Sequence, residues 1–428
     1  MNPRHSTAVV LSFCLLVLVG VIVAGPLTPP AGPITQTDLL RTETGARIPL
    51  SQETAPGDAE NDFIIASPGS YYLTENLNAT GSNAAILISA GPVTLDLNGY
   101  LIDVPHANDV GTGVKLDRNA PRVTIQNGTI VGVEAGIDTR QNFSSLVRDV
   151  SIQGGNGVMA GSTDHIERVT VGATFVGFDS TSSLGTSLRN APTFIDCKVV
   201  NLSATTAGFR GRGIFIRCVA EEIGLDSTGF DIIEQSQLVD CRAERINGTG
   251  FSISPKAPGT TLYRCVAIDA VQTGFDIKAD GCTLTECHAV GSLEDGFSAR
   301  LTRNVVFRDC LAQNNEGNGF VLGSYGLAER CVASSNGNGV VIPANSVGAV
   351  VRDCVANLNA DTGFENGADA AMVIRNRAVD NGAFNFRFLP GAFGQYGEIV
   401  SSSGTISADP HANFSALSDP KRAGNSAE

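Results

Sequence analysis

The sequence predicts an all-β, right-handed parallel β-helix of about 13 coils with repeats of about 22 residues, and three rows of residues predict it. Cysteine forms the first row. Cys197, Cys218, Cys241, Cys265, Cys287, Cys310, Cys331 and Cys354 recur every 21 to 24 residues. A glycine followed by an apolar residue forms the second: Gly208-Phe209, Gly229-Phe230, Gly250-Phe251, Gly274-Phe275, Gly296-Phe297, Gly319-Phe320, Gly339-Val340 and Gly363-Phe364. It runs back through Gly177-Phe178, Gly157-Val158 and Gly136-Ile137 to Gly113-Val114, and forward to Asn385-Phe386. The third row precedes each cysteine and is charged: Asp196, Arg217, Asp240, Arg264, Glu286, Asp309, Arg330 and Asp353, continued by Arg375.

A period near 23 also suits a leucine-rich repeat, but the leucine and asparagine signature of that fold is missing. Short alternations such as Gly-Phe-Asp-Ile and Cys-Val-Ala, broken by Gly, Asn and Asp, instead predict three strands and three turns per coil. Stacked at ~4.8 Å per coil, twelve steps would extend for roughly 60 Å. Handedness follows from the crossover rule.

Each row has a physical reading in that geometry. Phe209, Phe230, Phe251, Phe275, Phe297, Phe320 and Phe364 should stack inward as an aromatic ladder, each ring contributing ~1.5–3 kcal/mol of burial. The glycine before each ring permits either a positive φ or a close approach. Asn156, Asn318 and Asn338, just before that glycine, suit left-handed turns. The cysteines, with an alanine two residues later, should be small inward groups. Disulfides between coils would strain parallel Cβ vectors, and a straight row cannot converge on a metal, so free buried thiols are expected. Cys282, off the row, is the expected exposed thiol. Signs in the charged row alternate at every step but Glu286 to Asp309, as a solvated ladder that sets register would.

The rest of the chain sets the boundaries. Residues 1–24 read as an export signal, with Arg4 before the apolar run Ala8 to Ala24 and a cleavage site before Gly25. Left uncleaved, the run would act as an anchor. Leu11-Ser12-Phe13-Cys14 is a poor lipidation site because Phe13 is bulky. Residues 25–60 form a proline-rich linker and lead-in, 61–400 the β-helix and 401–428 a tail. No second segment is apolar enough to span a membrane, so the body is expected outside the cytoplasm, at the cell surface or in the periplasm. A net charge of −14 and pI near 4.8 exclude a phosphate-binding surface, hence a nucleic-acid partner. They also make an acidic polysaccharide an awkward partner unless a cation bridges the two.

Few residues are left for chemistry. Asp138, Asp179, Asp231 and Asp276 each follow the glycine-apolar pair and should point outward in one line. Aligned acids of this kind can hold calcium, with Asp138 and Asp179 as ligands, while Arg210, Arg212 or Lys278 abstracts a proton beside a uronate carboxylate held near Asp231 and Asp276. The acids fall on alternate or more distant coils, too sparse for one shared cation, so neither a metal nor any other cofactor is expected. His106, His165 and His288 lie too far apart in coil number to pair. Gly177 to Gly208 contains an insertion of roughly nine residues around Thr181-Ser182-Ser183-Leu184-Gly185, where a groove would be built.

The stretch Pro68-Gly69-Ser70-Tyr71-Tyr72-Leu73-Thr74-Glu75-Asn76-Leu77, then Val93-Thr94-Leu95-Asp96-Leu97-Asn98-Gly99-Tyr100, resembles the opening of a large group of exported bacterial right-handed β-helix proteins, abundant in planctomycetes and pectate-lyase-like in fold. Ile48-Pro49-Leu50, Pro56-Gly57-Asp58-Ala59 and the tail Gly397-Glu398-Ile399-Val400 with Ala412-Asn413-Phe414 fit the same pattern. Asp409-Pro410-His411 is similar to an element of alginate epimerases, but in those enzymes it lies within the helix. Here it follows the last coil, and His411 stands where the group usually has Trp. The resemblance implies the fold and, by analogy, a bias toward polysaccharides, but no activity. The function expected is thus a non-catalytic, exported rod with a structural or polysaccharide-contacting role. A lyase or epimerase acting on a uronate polymer is the first alternative, and an adhesin or surface-layer component the second.

Overall fold

The computed structural model describes residues 46–407 except 81, 105–110, 133, 173–174, 182–189, 202–205, 225, 390–391, 393, 398–399 and 403–404. The signal, the start of the linker, Cys14, His106, His411, the core of the insertion and the tail from 408 lie outside the described residues. Every strand-to-strand pairing in the coil is parallel, and each coil contributes three short strands. One coil illustrates the rest. Val306–Arg308 pairs with Leu327–Glu329, Leu311–Gln313 with Val332–Ser334, and Asn318–Val321 with Asn338–Ile342 of the next coil. The third column forms a sheet of sixteen strands, from Asn61–Ile65 to Thr405–Ser407, and the first two columns make up a second sheet. No described residue is in an α-helix, and none forms a helix long and apolar enough to cross a membrane.

Short strands demand sharp corners, and the charged row makes one of them. Asp196, Arg217, Asp240, Arg264, Glu286, Asp309, Arg330, Asp353 and Arg375 all adopt φ between 51° and 57°. This left-handed conformation costs a non-glycine residue ~1–2 kcal/mol. The arginines fork onto the acid one coil back: Arg217 on Asp196 at 2.6 and 2.8 Å, Arg264 on Asp240 at 2.7 and 2.8 Å, Arg330 on Asp309 at 2.7 Å twice, and Arg375 on Asp353 at 2.7 and 2.8 Å. Each arginine holds its carboxylate partner's pKa below the usual range at Asp196, Asp309 and Asp353. Exposed pairs contribute only ~0–1 kcal/mol, so the ladder's effect is on register. At the one like-charged step Glu286 instead accepts from the Tyr263 hydroxyl at 3.4 Å.

Asn156, Asn318 and Asn338 do not take the left-handed turns expected of them. They begin third-column strands, where φ must be extended, and Asn338 donates to Asn318 at 3.0 Å, Asn318 to Asp295 at 2.7 Å. The row glycines have no positive φ either; close approach is their reason. A Cβ on Gly250 would lie 2.6 Å from the Gly274 carbonyl and 3.0 Å from the Ala267 Cβ. Alanines two residues after the cysteines therefore face the glycines, where the walls are nearest.

The aromatic ladder forms as expected and begins one coil earlier, at Phe178. From Phe178 to Phe320 seven rings stack at centroid distances of 4.7–4.8 Å with planes within 6° of parallel. Val340 interrupts it, and Phe364 and Phe386 resume it at 5.1 Å. The row cysteines are free and buried, each thiol donating to a carbonyl of the preceding coil, as Cys241 does to Phe215 at 3.4 Å. Burial pushes the thiols of Cys197, Cys265, Cys310 and Cys331 above the ordinary range. Cys282 is a correction: it is fully buried, because it turns inward before Thr283–Thr285, and burial pushes its thiol up to about 11. The nine described cysteines should therefore ignore a water-soluble thiol reagent in the native state and react together on unfolding. Rapid native labelling of Cys282, read by mass, would contradict its burial.

Candidate functional site

The third-column strands carry the outward line predicted from sequence, and their register fixes its order. Lys115, Asp138, Met159, Asp179, Arg210, Asp231, Ser252, Asp276 and Ser298 lie one above another. The structure makes two pairs of the candidates, Arg210 with Asp231 and Lys278 with Asp276, two coils apart with Ser252 between them. Arg210 Nε is 3.5 Å from Asp231 Oδ2, and Lys278 Nζ is 2.7 Å from Asp276 Oδ2. Burial raises the Asp231 carboxyl above its ordinary value, against the pull of Arg210 and Lys278.

Other candidates are placed elsewhere. Arg212 is not presented with Arg210: its side chain is 2% exposed and its Nη1 lies 3.5 Å from Glu234. The cause is Gly211, whose φ of 117° ends the strand and breaks the alternation of faces. Asp138 is gripped by Arg140 at 3.0 and 2.7 Å, and Asp179 accepts from the Thr181 amide at 2.8 Å. Met159 separates those two acids, so they do not converge on one cation. Among the described residues no three His, Cys, Asp or Glu side chains are arranged to hold a metal ion. His165 faces Glu167 at 3.4 Å.

Sequence reasoning missed Asp164. It is buried beneath the corner that follows the third column. Its Oδ2 lies 2.5 Å from Thr139 Oγ1 and 2.7 Å from the Gly161 amide, and its Oδ1 accepts from the Ser145 amide at 2.8 Å. Burial pushes the carboxyl up to about 6. Thr139 Oγ1 is the donor to that carboxyl and also lies 3.1 Å from the Met159 carbonyl. Because the folded pKa exceeds the unfolded value near 3.9, this group's stabilisation is complete below about pH 4 and is lost as pH rises through about 6, a change on the order of 3 kcal/mol. Relative to Asp164→Asn, the wild-type unfolding midpoint should fall between pH 4 and 7. Parallel midpoints would contradict the burial argument. Nothing in Gly161-Ser162-Thr163-Asp164 marks that acid as buried, since the same residues serve any exposed turn.

Residues 259–379 match the family profile described as a right handed beta helix region. The chain is similar in structure to the periplasmic alginate epimerase AlgG at 14% identity and a TM-score of 0.43, covering 86% of this chain and 82% of that one. It is also similar to the A-module of the Azotobacter vinelandii mannuronan C-5 epimerase AlgE6, at 12% identity and a TM-score of 0.41, covering 79% and 92%. The catalytic domain of a GH87 alpha-1,3-glucanase shares 12% identity at a TM-score of 0.29, covering 87% and 65%. No curated protein matches the sequence. The three-column coil makes the described chain an all-β parallel β-helix, and residues 259–379 within it carry the right handed beta helix profile.

Proposed function

We propose that this is an exported β-helix rod that contacts polysaccharide along the outward face of its sixteen-stranded sheet without transforming it. One observation carries the reading. The acids of that face are each held by a neighbour, Asp138 by Arg140, Asp179 by the Thr181 amide, Asp231 by Arg210 and Asp276 by Lys278. Ser252 and Ser298 stand beside them as hydroxyls. Paired charges and hydroxyls repeating every ~4.8 Å suit a polymer of similar repeat, while no acid is left to assemble with others into a catalytic group. Export rests on the signal-like residues 1–24 alone.

A second reading has its own observation. Asp231, raised by burial and flanked by Arg210 and Lys278, is what a proton acceptor beside a uronate would require. Both readings require binding, and turnover separates them. Electrophoresis of the chain through gels containing uronate or neutral polysaccharide should show retardation, and Asp231→Asn with Lys278→Met should reduce it several-fold in at least one polymer. Unchanged mobility of the wild type in every polymer would overturn polysaccharide contact.

A further inference from the structure

Three exposed apolar side chains lie along one corner of successive coils. Leu301 is 84% exposed, Tyr325 56% and Val347 43%, and they lie on three successive coils where the third column turns into the first. Arg303 bridges to Ser324, Val347 bridges to Asp369, and the Tyr325 amide donates to the Val347 carbonyl at 2.7 Å, so the corner is itself stacked. Half-buried Leu327 and Val350 continue the apolar surface beside it. Exposed apolar side chains on successive coils of one corner suit a contact site.

The tyrosine ring is laid out as a platform. A Cβ on Gly348 would sit 2.9 Å from both Cδ1 and Cε1 of Tyr325, so one edge of the ring rests on glycine backbone that no other residue could supply. Gly348 has φ +66°, a second reason for glycine there. The other exposed tyrosine, Tyr263, is capped by Arg264 at 4.5 Å, and Tyr72 by Arg47 at 4.6 Å. No arginine or aromatic ring covers Tyr325 among the described residues. The charges nearby are mixed rather than cationic: Arg300 lies 3.9 Å from Asp295, the Asp280 carboxylate accepts from the Arg303 backbone amide at 2.8 Å, and Asp369 occupies the same corner three coils on from Arg303.

We propose that Tyr325, flanked by Leu301 and Val347, is a stacking platform for the apolar face of a neutral sugar ring, a contact separate from the charged line of Arg210, Asp231, Asp276 and Lys278. It rests on the polysaccharide-contact reading, to which it adds a site and a ligand class. An open aromatic ring beside aliphatic side chains matches the C–H face of an uncharged pyranose, whereas a uronate would meet Asp280 and Asp369.

The test is affinity electrophoresis of the chain in laminarin, hydroxyethylcellulose, galactomannan and alginate, with sedimentation velocity of the same samples. Wild type should be retarded in at least one neutral polymer. Tyr325→Ala should weaken that retardation about tenfold, and Tyr325→Phe should stay within about threefold. Neutral-polymer retardation unaffected by Tyr325→Ala would overturn the platform while leaving polysaccharide contact standing. Retardation in alginate alone would do the same. No retardation in any polymer would remove both. A concentration-dependent dimer dissolved by Tyr325→Ala, without sugar binding, would show that a second copy covers this corner and overturn the sugar assignment.

Discussion

Phe251→Ala is expected to destabilise the rod by about 3–5 kcal/mol. Phe251 is fully buried and stacks on Phe230 and Phe275 at 4.7 Å on each side, so truncation removes one ring from the middle of seven. The loss has two parts, the transfer of the ring itself and the gap left between rings whose spacing is fixed by the sheet. Neighbouring ring contacts are also forfeited, at ~0.5–1.5 kcal/mol each. Because a solenoid is stabilised coil against coil, the weakened interface should let the two halves unfold separately. Denaturant titration of the variant should show a lower midpoint and a broader or split transition. Ser252→Ala, one residue away and facing outward, should stay within ~0.5 kcal/mol of wild type. Equal midpoints for Phe251→Ala and wild type would remove the ladder as the source of core stability.

The second large effect is expected at Asn359. Asn315, Asn336, Asn359, Asn381 and Asn385 form a buried amide ladder, each side chain donating to the next at 2.8–3.1 Å and the last to Ser401 at 2.8 Å. Asn359 also donates to the Ala333 carbonyl at 3.2 Å and accepts from the Asn336 amide at 3.0 Å. Asn359→Leu is close in volume but strands these partners in a dry interior. At ~1–3 kcal/mol per unsatisfied buried group, and with partial relaxation, a loss of about 3–5 kcal/mol follows. Asn357→Ala, at the outward end of Val355–Asn357, should cost less than ~1 kcal/mol. Comparable midpoints for the two variants would mean that the ladder satisfies no burial cost.

The two ladders differ in how plainly they are written in the sequence. Phenylalanine after glycine is rare enough that its recurrence announces an inward aromatic row, and cysteine is rarer still. Asn315, Asn336, Asn359 and Asn381 recur at 21, 23 and 22 residues, the same repeat, yet asparagine is as common in exposed turns and the row was not distinguishable from them. The same ambiguity misplaced Asn318 and Asn338, while the left-handed corners fell to charged residues such as Arg217 and Arg264, whose intrinsic preference is against them. Stacking overrides that preference, because each corner must repeat the one beneath it.

The face of the third column was legible as a line, since alternation along a strand fixes which side chains point outward. Which of its members touch was not legible. Arg210 and Arg212 look equivalent two residues apart, but a single positive φ at Gly211 separates them. Asp164 and Tyr325 were invisible for a related reason. Burial of the first and exposure of the second are decided by the corner between the third column and the first, which carries no repeating residue type like that of the charged row. Cys282 failed in the opposite direction, being off the row in sequence yet inside the coil in space.

The most direct test of the central claim is turnover. Purified protein incubated with alginate and polygalacturonate, with and without calcium, would be followed by ultraviolet absorbance for unsaturated uronate and by proton NMR of the anomeric region for C5 inversion. The paired charges of the third-column face predict that neither signal changes over hours. Product that accumulates in the wild type and is abolished by Asp231→Asn would contradict that prediction and make the Arg210, Asp231 and Lys278 cluster an active site.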